Sequence, residues 1–252
     1  MTKLARMAAF RTFIALSLCF LFYSCSSLDN LDPSTAEGSY KIGVQLAADG
    51  RYEEALIQLA DVRNRFPYSQ FATDAELKIA DIHFERESFV EAQNAYLLFK
   101  DFHPKHPRID YATSQLALSY FHQLPDTIDR DLSQAQNAIS AFDDVIRSYP
   151  GTEYAKKAKE KRAKIYDMLA QKELYIADFY FKQKQYLSAL GRYEDVLRKF
   201  PDRGLDAKAL YGAAISAKES RELDRAKSYA ERLLKNFPKS QEAKDIQGKV
   251  KL

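Results

Sequence analysis

His103 and His106 stand three residues apart in Phe102-His103-Pro104-Lys105-His106-Pro107, a spacing that could suit a metal. No third ligand lies nearby, and two prolines stiffen the segment, so a rigid turn between helices is the better reading and no metal is expected. Asp126, Asp129 and Asp131 gather carboxylates in one stretch, but the glycine and the terminal glutamate of a calcium loop are missing. Lys156, Lys157, Lys159, Lys161, Arg162 and Lys164 form a basic run suited to solvent, to an acidic partner or to lipid head groups. The spacings that carry catalysis and nucleotide binding are absent: there is no Gly-x-Gly-x-x-Gly, Gly-x-x-x-x-Gly-Lys, His-Glu-x-x-His or Gly-x-Ser-x-Gly. No catalytic residue and no cofactor is expected. The chemistry that remains is non-covalent recognition by a scaffold.

Composition sets the limits of that scaffold. The 252 residues are 46% hydrophobic and 29% charged, with eight Gly, eight Pro and two Cys. This is the balance of a globular chain, too poor in turn residues for a β-sandwich and in cysteine for a disulfide framework. Lys and Arg number 38 against 35 Asp and Glu, but Lys3, Arg6 and Arg11 fall in a leader that holds no acid. Without them the chain is neutral, which argues against a nucleic-acid partner. Charge is uneven along the sequence: net −6 over 25–100, +1 over 101–202 and +5 over 203–252. Such a gradient suits two ends that meet different partners.

The leader has a basic start, an apolar run from Phe13 to Tyr23 and the small residue Ser24 before Cys25. That pattern is a secretory signal, not a structural helix. A thiol at the cleavage point, followed by Ser26-Ser27 and a polar spacer, resembles a bacterial lipoprotein box, although Phe22 stands where that motif prefers Leu. The resemblance implies removal of residues 1–24, Cys19 included. It also implies a diacylglycerol and an N-acyl chain on Cys25, and a flexible lipidated linker over 25–35. Acyl chains hold by burying methylenes, about 0.8 kcal/mol each.

The body repeats. Five segments end in an aromatic or His before Pro: Phe66-Pro67, His103-Pro104, Tyr149-Pro150, Phe200-Pro201 and Phe237-Pro238. Twelve residues before each Pro stands an alanine: Ala55, Ala92, Ala138, Ala189 and Ala226. A further small residue precedes each of those: Gly43, Ala80, Ala117, Ala177 and Ala214. Two helices that cross closely need small side chains where they touch, and a Pro ends the second helix of each pair. The pattern resembles the tetratricopeptide repeat. It predicts an all-α superhelical solenoid of five helix pairs, with turns at Asp49-Gly50-Arg51, Glu87-Ser88, Lys184-Gln185 and Arg221-Glu222. The third repeat carries nine extra residues around Gln123–Ser133. Fourteen extra residues lie between Pro150 and Ala177, close to four helical turns, which preserves the packed face. A single long helix is therefore expected from about Thr152 to Gln183, between repeats three and four. A last polar helix is expected over 240–250.

These features together are similar to the BamD (ComL-type) family of outer-membrane protein assembly lipoproteins. His106-Pro107-Arg108-Ile109-Asp110-Tyr111 resembles the family motif His-Pro-x-Ile-Asp-Tyr. The third and fourth repeats, the latter with Arg192 and Leu197-Arg198-Lys199-Phe200-Pro201, resemble their family counterparts. The resemblance implies a scaffold of the β-barrel assembly machinery, held in the inner leaflet of the outer membrane and facing the periplasm. The partners it implies are unfolded β-barrel precursors and the periplasmic domains of a BamA-type barrel insertase. It divides the chain into a substrate-side half, 36–151, and an insertase-side half, 152–252. Phe66 and Tyr52 are the implied substrate contacts and Arg192 the implied insertase contact. Beside Tyr52 the family carries a basic residue where this chain has Glu53. The other reading is a repeat lipoprotein adaptor for pilus assembly or cell-wall synthesis.

Overall fold

A computed structural model describes residues 31–250. The described residues form helices α1 (Ala36–Ala48), α2 (Tyr52–Arg65), α3 (Gln70–Glu85), α4 (Phe89–Phe102), α5 (Ile109–His122), α6 (Ala135–Ser148), α7 (Glu153–Lys182), α8 (Tyr186–Lys199), α9 (Asp206–Glu219), α10 (Leu223–Asn236) and α11 (Gln241–Ile246). They contain no strand. Five consecutive pairs, α1/α2 to α9/α10, are the five repeats, and the fold is all-α as expected. Cys25 and the leader lie outside the described residues.

The small residues sit at the crossings. Ala55, Ala92, Ala138, Ala189 and Ala226 are fully buried, as are Ala80, Ala117, Ala177 and Ala214. A methyl group added to Gly43 would come within 2.7 Å of the Leu59 side chain, so α1 and α2 approach too closely there for alanine.

Both turn types follow from local chemistry. In repeats one, two, four and five the first helix ends in the same paired bonds: Arg51, Ser88, Gln185 and Glu222 donate their N–H to Leu46, His83, Tyr180 and Ala217. One residue earlier the backbone is left-handed, with φ of 75° at Gly50, 58° at Glu87, 60° at Lys184 and 66° at Arg221. This is a glycine-type C-cap that three repeats build from a long side chain, against the usual steric preference. The second helices stop at Phe66, His103, Tyr149, Phe200 and Phe237, whose N–H groups close the last turn before Pro forbids another. Thr35, Ser69, Thr152 and Ser240 cap the starts of α1, α3, α7 and α11.

Of the described residues, those up to Pro104 form one compact unit and those from Lys105 another. In the first unit, α1–α3 enclose a core around Leu59, Val62, Ala75 and Ile82. In the second, α7 runs through two cores. Its Ala158 and Ile165 pack with Phe142 and Val145, and its Leu174 and Ala177 pack with Tyr193 and Leu210. The 30-residue helix, Glu153–Lys182, agrees with the expected span. The final helix does not: it ends at Ile246, short of 250, because Gly248 turns at φ 79° and lets Val250 fold back into the core. The units carry opposite charge. Residues 31–104 hold 13 acids and seven bases, net −6, and residues 105–252 hold 21 acids and 28 bases, net +7.

Candidate functional site

Tyr52 and Phe66 occupy opposite ends of α2, about 20 Å apart along the axis, and both pack against the first core. They are not two walls of one pocket. The Arg65 guanidinium lies 5.2 Å from the Phe66 ring centre. Glu53 does not face the Tyr52 surface alone. Arg86, at the end of α3, pairs with it at 2.8 Å and lies 6.0 Å from the Tyr52 ring centre. Arg86 thus brings a cation beside Tyr52 from the next helix.

A cleft of about 150 Å³ opens between α2, α3 and α4. Ile79, Ala95 and Phe99 line its inside. Leu98 and Phe102, 55% and 72% exposed, form its rim, and Arg63 and Glu76 complete its lining. This cleft was not read from the sequence. Its signal was there: two bulky apolar residues sit on the outward side of a short helix whose inner positions were already taken.

The family motif is the start of α5. The Ile109 N–H donates to the His106 carbonyl at 3.0 Å and the Arg108 N–H to His106 Nδ1 at 3.1 Å. Asp110 accepts from the Tyr111 N–H at 2.7 Å. The Arg108 guanidinium lies 4.5 Å from the Tyr111 ring, which meets Tyr154 of α7 edge-on at 6.3 Å. Pro107 stiffens the turn, and the motif serves to dock α5 on α7. His103 Nε2 is bonded to Glu76 Oε2 at 2.7 Å. Among the described residues no three His, Cys, Asp or Glu side chains converge on a metal-sized site.

Arg192 projects from α8 towards Glu173 of α7, with Nη1 2.9 Å from Oε1. Its side chain is 42% exposed and that of Glu173 only 15%. The hydrogen bond and the charge of Glu173 hold the guanidinium pKa above its usual value. One of five donors is used, so most of the fork still faces outward. The basic run on α7 is not one free face. Arg162 pairs with Asp143, and Lys161 and Lys164 lie over Phe121. Lys156, Lys157 and Lys159 are exposed. In the long loop, Asp131 accepts from the Ser133 N–H at 2.9 Å, and Lys172 donates to the Arg130 carbonyl, tying the loop to α7. The hydrogen bond from Thr127 lowers the Asp129 pKa. No helix among the described residues is long and apolar enough to cross a membrane.

Comparison with known proteins gives the family. The Caulobacter vibrioides "Outer membrane protein assembly factor BamD" is 31% identical over 172 residues, 68% of this chain and 56% of that protein. The protein of the same name from Rickettsia prowazekii is 30% identical over 201 residues, 80% of each chain. Among solved structures, the TPR2AB domain of yeast Sti1 superposes with a TM-score of 0.44 at 12% identity, covering 84% of this chain and 81% of that one. The family model described as "Outer membrane lipoprotein" matches residues 33–233, and the chain therefore belongs to that family, YfiO.

Proposed function

We propose that this protein is a lipid-anchored scaffold that helps assemble and insert β-barrel proteins into the outer membrane. The observation that carries the reading is the family match over 33–233, which takes in both the apolar cleft of the first unit and Arg192 of the second. The relatives named as assembly factors support it. In this reading Cys25 bears the acyl chains, and the body faces the periplasm from the inner leaflet. The substrate-side half, 36–151, receives an unfolded barrel precursor on its apolar surfaces. The insertase-side half, 152–252, holds the periplasmic domains of a BamA-type insertase, with Arg192 as one contact. Both tasks need binding and release, not covalent chemistry, and the exposed apolar and ionic surfaces provide that.

The test is purification of the tagged, full-length protein from its own membranes in mild detergent, with identification of the chains that come with it. A large barrel protein with periplasmic domains is the expected companion. Recovery of pilus or cell-wall components in its place would refute the reading. Cys25→Ala is expected to leave the protein unanchored; unchanged recovery with the outer membrane would refute the acylation.

A further inference from the structure

Gly43, Leu46 and Ala47 turn one side of α1 into the first unit. Among the described residues no helix precedes α1 to cover its other side. The end of a repeat stack is ordinarily closed by a polar face. Here Leu31, Tyr40, Lys41, Val44 and Gln45 line an open hollow of about 330 Å³. Phe71 of α3 holds the Tyr40 ring, 5.7 Å between centres. Lys41 is paired with Glu37 at 2.6 Å, so the charge at the hollow is balanced. The chain enters α1 through a built turn. Ser34 donates its N–H to Asp32 Oδ1 at 2.8 Å, and the Thr35 N–H and hydroxyl donate to the Asp32 carbonyl at 3.2 and 3.0 Å. The turn lies on α1 only because residue 38 is glycine: a methyl group there would come within 2.0 Å of the Asp32 carbonyl oxygen. The expected linker is thus fastened to α1 over 31–35, and Leu31, one wall of the hollow, stands six residues from Cys25. Six residues span at most about 22 Å.

We propose that the hollowed face of α1 rests on the phospholipid surface that holds Cys25, as a second membrane contact beside the acyl chains; the proposal rests on the acylation of Cys25 given above. The short tether keeps that surface within reach of the hollow. The lining suits headgroup depth. Leu31 and Val44 give apolar contact, and Tyr40 brings the kind of side chain that gathers at membrane interfaces. The Lys41 stem lies along an apolar surface while its ammonium stays in water. The balanced pair at the hollow and the net charge of −6 over 31–104 make this an apolar contact with zwitterionic lipid, not attraction to an anionic one. Acyl chains alone set a distance and leave the body free to turn. A seated α1 also sets the orientation of the first unit on the membrane.

The chain has no tryptophan, so a single introduced Trp reports its own surroundings. Val44→Trp and, separately, Lys41→Trp are purified full-length from membranes. Each is reconstituted into vesicles of phosphatidylcholine and phosphatidylethanolamine, with or without bromine on the lipid chains; bromine quenches Trp on contact. Emission of both variants is expected to fall about twofold with bromine, as for a face set about 5–10 Å into the headgroup boundary, and to be indifferent to added salt. Val90→Trp, 53% exposed on α4, is the control and is expected to lose nothing. If Val44→Trp folds poorly, Lys41→Trp at its exposed position decides. Protein that floats with the vesicles while both reporters stay unquenched overturns the proposal and leaves the acylation standing. Blue-shifted emission without quenching would put the protein's own acyl chain in the hollow and overturns it as well, as does equal quenching of Val90→Trp. Protein that does not float refutes the acylation of Cys25, and the membrane contact falls with it.

Discussion

The second and fourth repeats share a core and differ at the surface. In each, a tyrosine eight residues before the closing Pro crosses to the aspartate after the small residue: Tyr96 to Asp81 and Tyr193 to Asp178, both at 2.7 Å. In each, a glutamate stands one turn further back, Glu76 or Glu173. Outside that frame the two diverge. Ala95, Leu98 and Phe102 of the second repeat correspond to Arg192, Asp195 and Lys199 of the fourth. One surface is an apolar cleft. The other is an ionic cluster in which Arg192 holds Glu173 and Lys199 holds Asp195 at 2.8 Å. A common packing frame thus carries two kinds of surface, one apolar and one ionic.

The crossing alanines give the most severe way to break the comparison. Ala92→Trp or Ala189→Trp overpacks a fully buried contact, and each is expected to cost about 1–3 kcal/mol or more in thermal unfolding. Equal losses would establish that both repeats depend on the same frame. An unaltered melting curve would contradict the register.

Arg192→Glu sets a second carboxylate against Glu173 and removes the outward fork. Capture of insertase periplasmic domains is expected to weaken by on the order of tenfold while helicity stays intact. Unchanged capture in a binding titration would dismiss Arg192 as a contact.

The buried tyrosines sharpen the comparison through pH. Burial, helped by the bond to Asp178, pushes the Tyr193 phenol up. A group whose pKa is raised on folding keeps its stabilisation below the unfolded value, about 10 for tyrosine, and loses it as pH rises further. Stability is therefore expected to fall above about pH 10, and Tyr193→Phe to flatten that limb. At neutral pH the same change is expected to cost about 1 kcal/mol, because Asp178 keeps its bond from Lys208 at 2.8 Å. Chemical unfolding at several pH values measures both.

The smallest effect is a gain. Glu87→Gly and Lys184→Gly relieve left-handed turns at equivalent places in the two repeats, and each is expected to stabilise by about 0.5–1 kcal/mol. Denaturant midpoints would register it. A loss would mean that the long side chains hold contacts worth more than the strain.

The helix pairs and the long α7 were legible in the sequence because their causes are local or periodic. Alanines at a fixed offset from Pro mark crossings, and a fourteen-residue insertion keeps the helical phase. The recognition surfaces were less legible because their partners are distant in sequence. Arg192 could be singled out by family resemblance, but Glu173 stands nineteen residues away on the previous helix. The partner of Glu53, Arg86, stands 33 residues further on in the next helix. Ala95 looked like any helical alanine. Its shortness shows only beside Gln58 and Arg192 at the same register of repeats one and four, and repeat three carries the equally short Ala141. The last helix was drawn too long because Gly248 was passed over as a stop signal.

The central claim is that two repeats built on one frame bind different partners. The direct measurement compares Ala95→Gln and Arg192→Glu, each as full-length protein, for binding of an unfolded barrel precursor and for capture of the insertase from membranes. The account predicts opposite losses: Ala95→Gln loses the precursor and keeps the insertase, and Arg192→Glu loses the insertase and keeps the precursor. Two variants that lose both together, or neither, would contradict it.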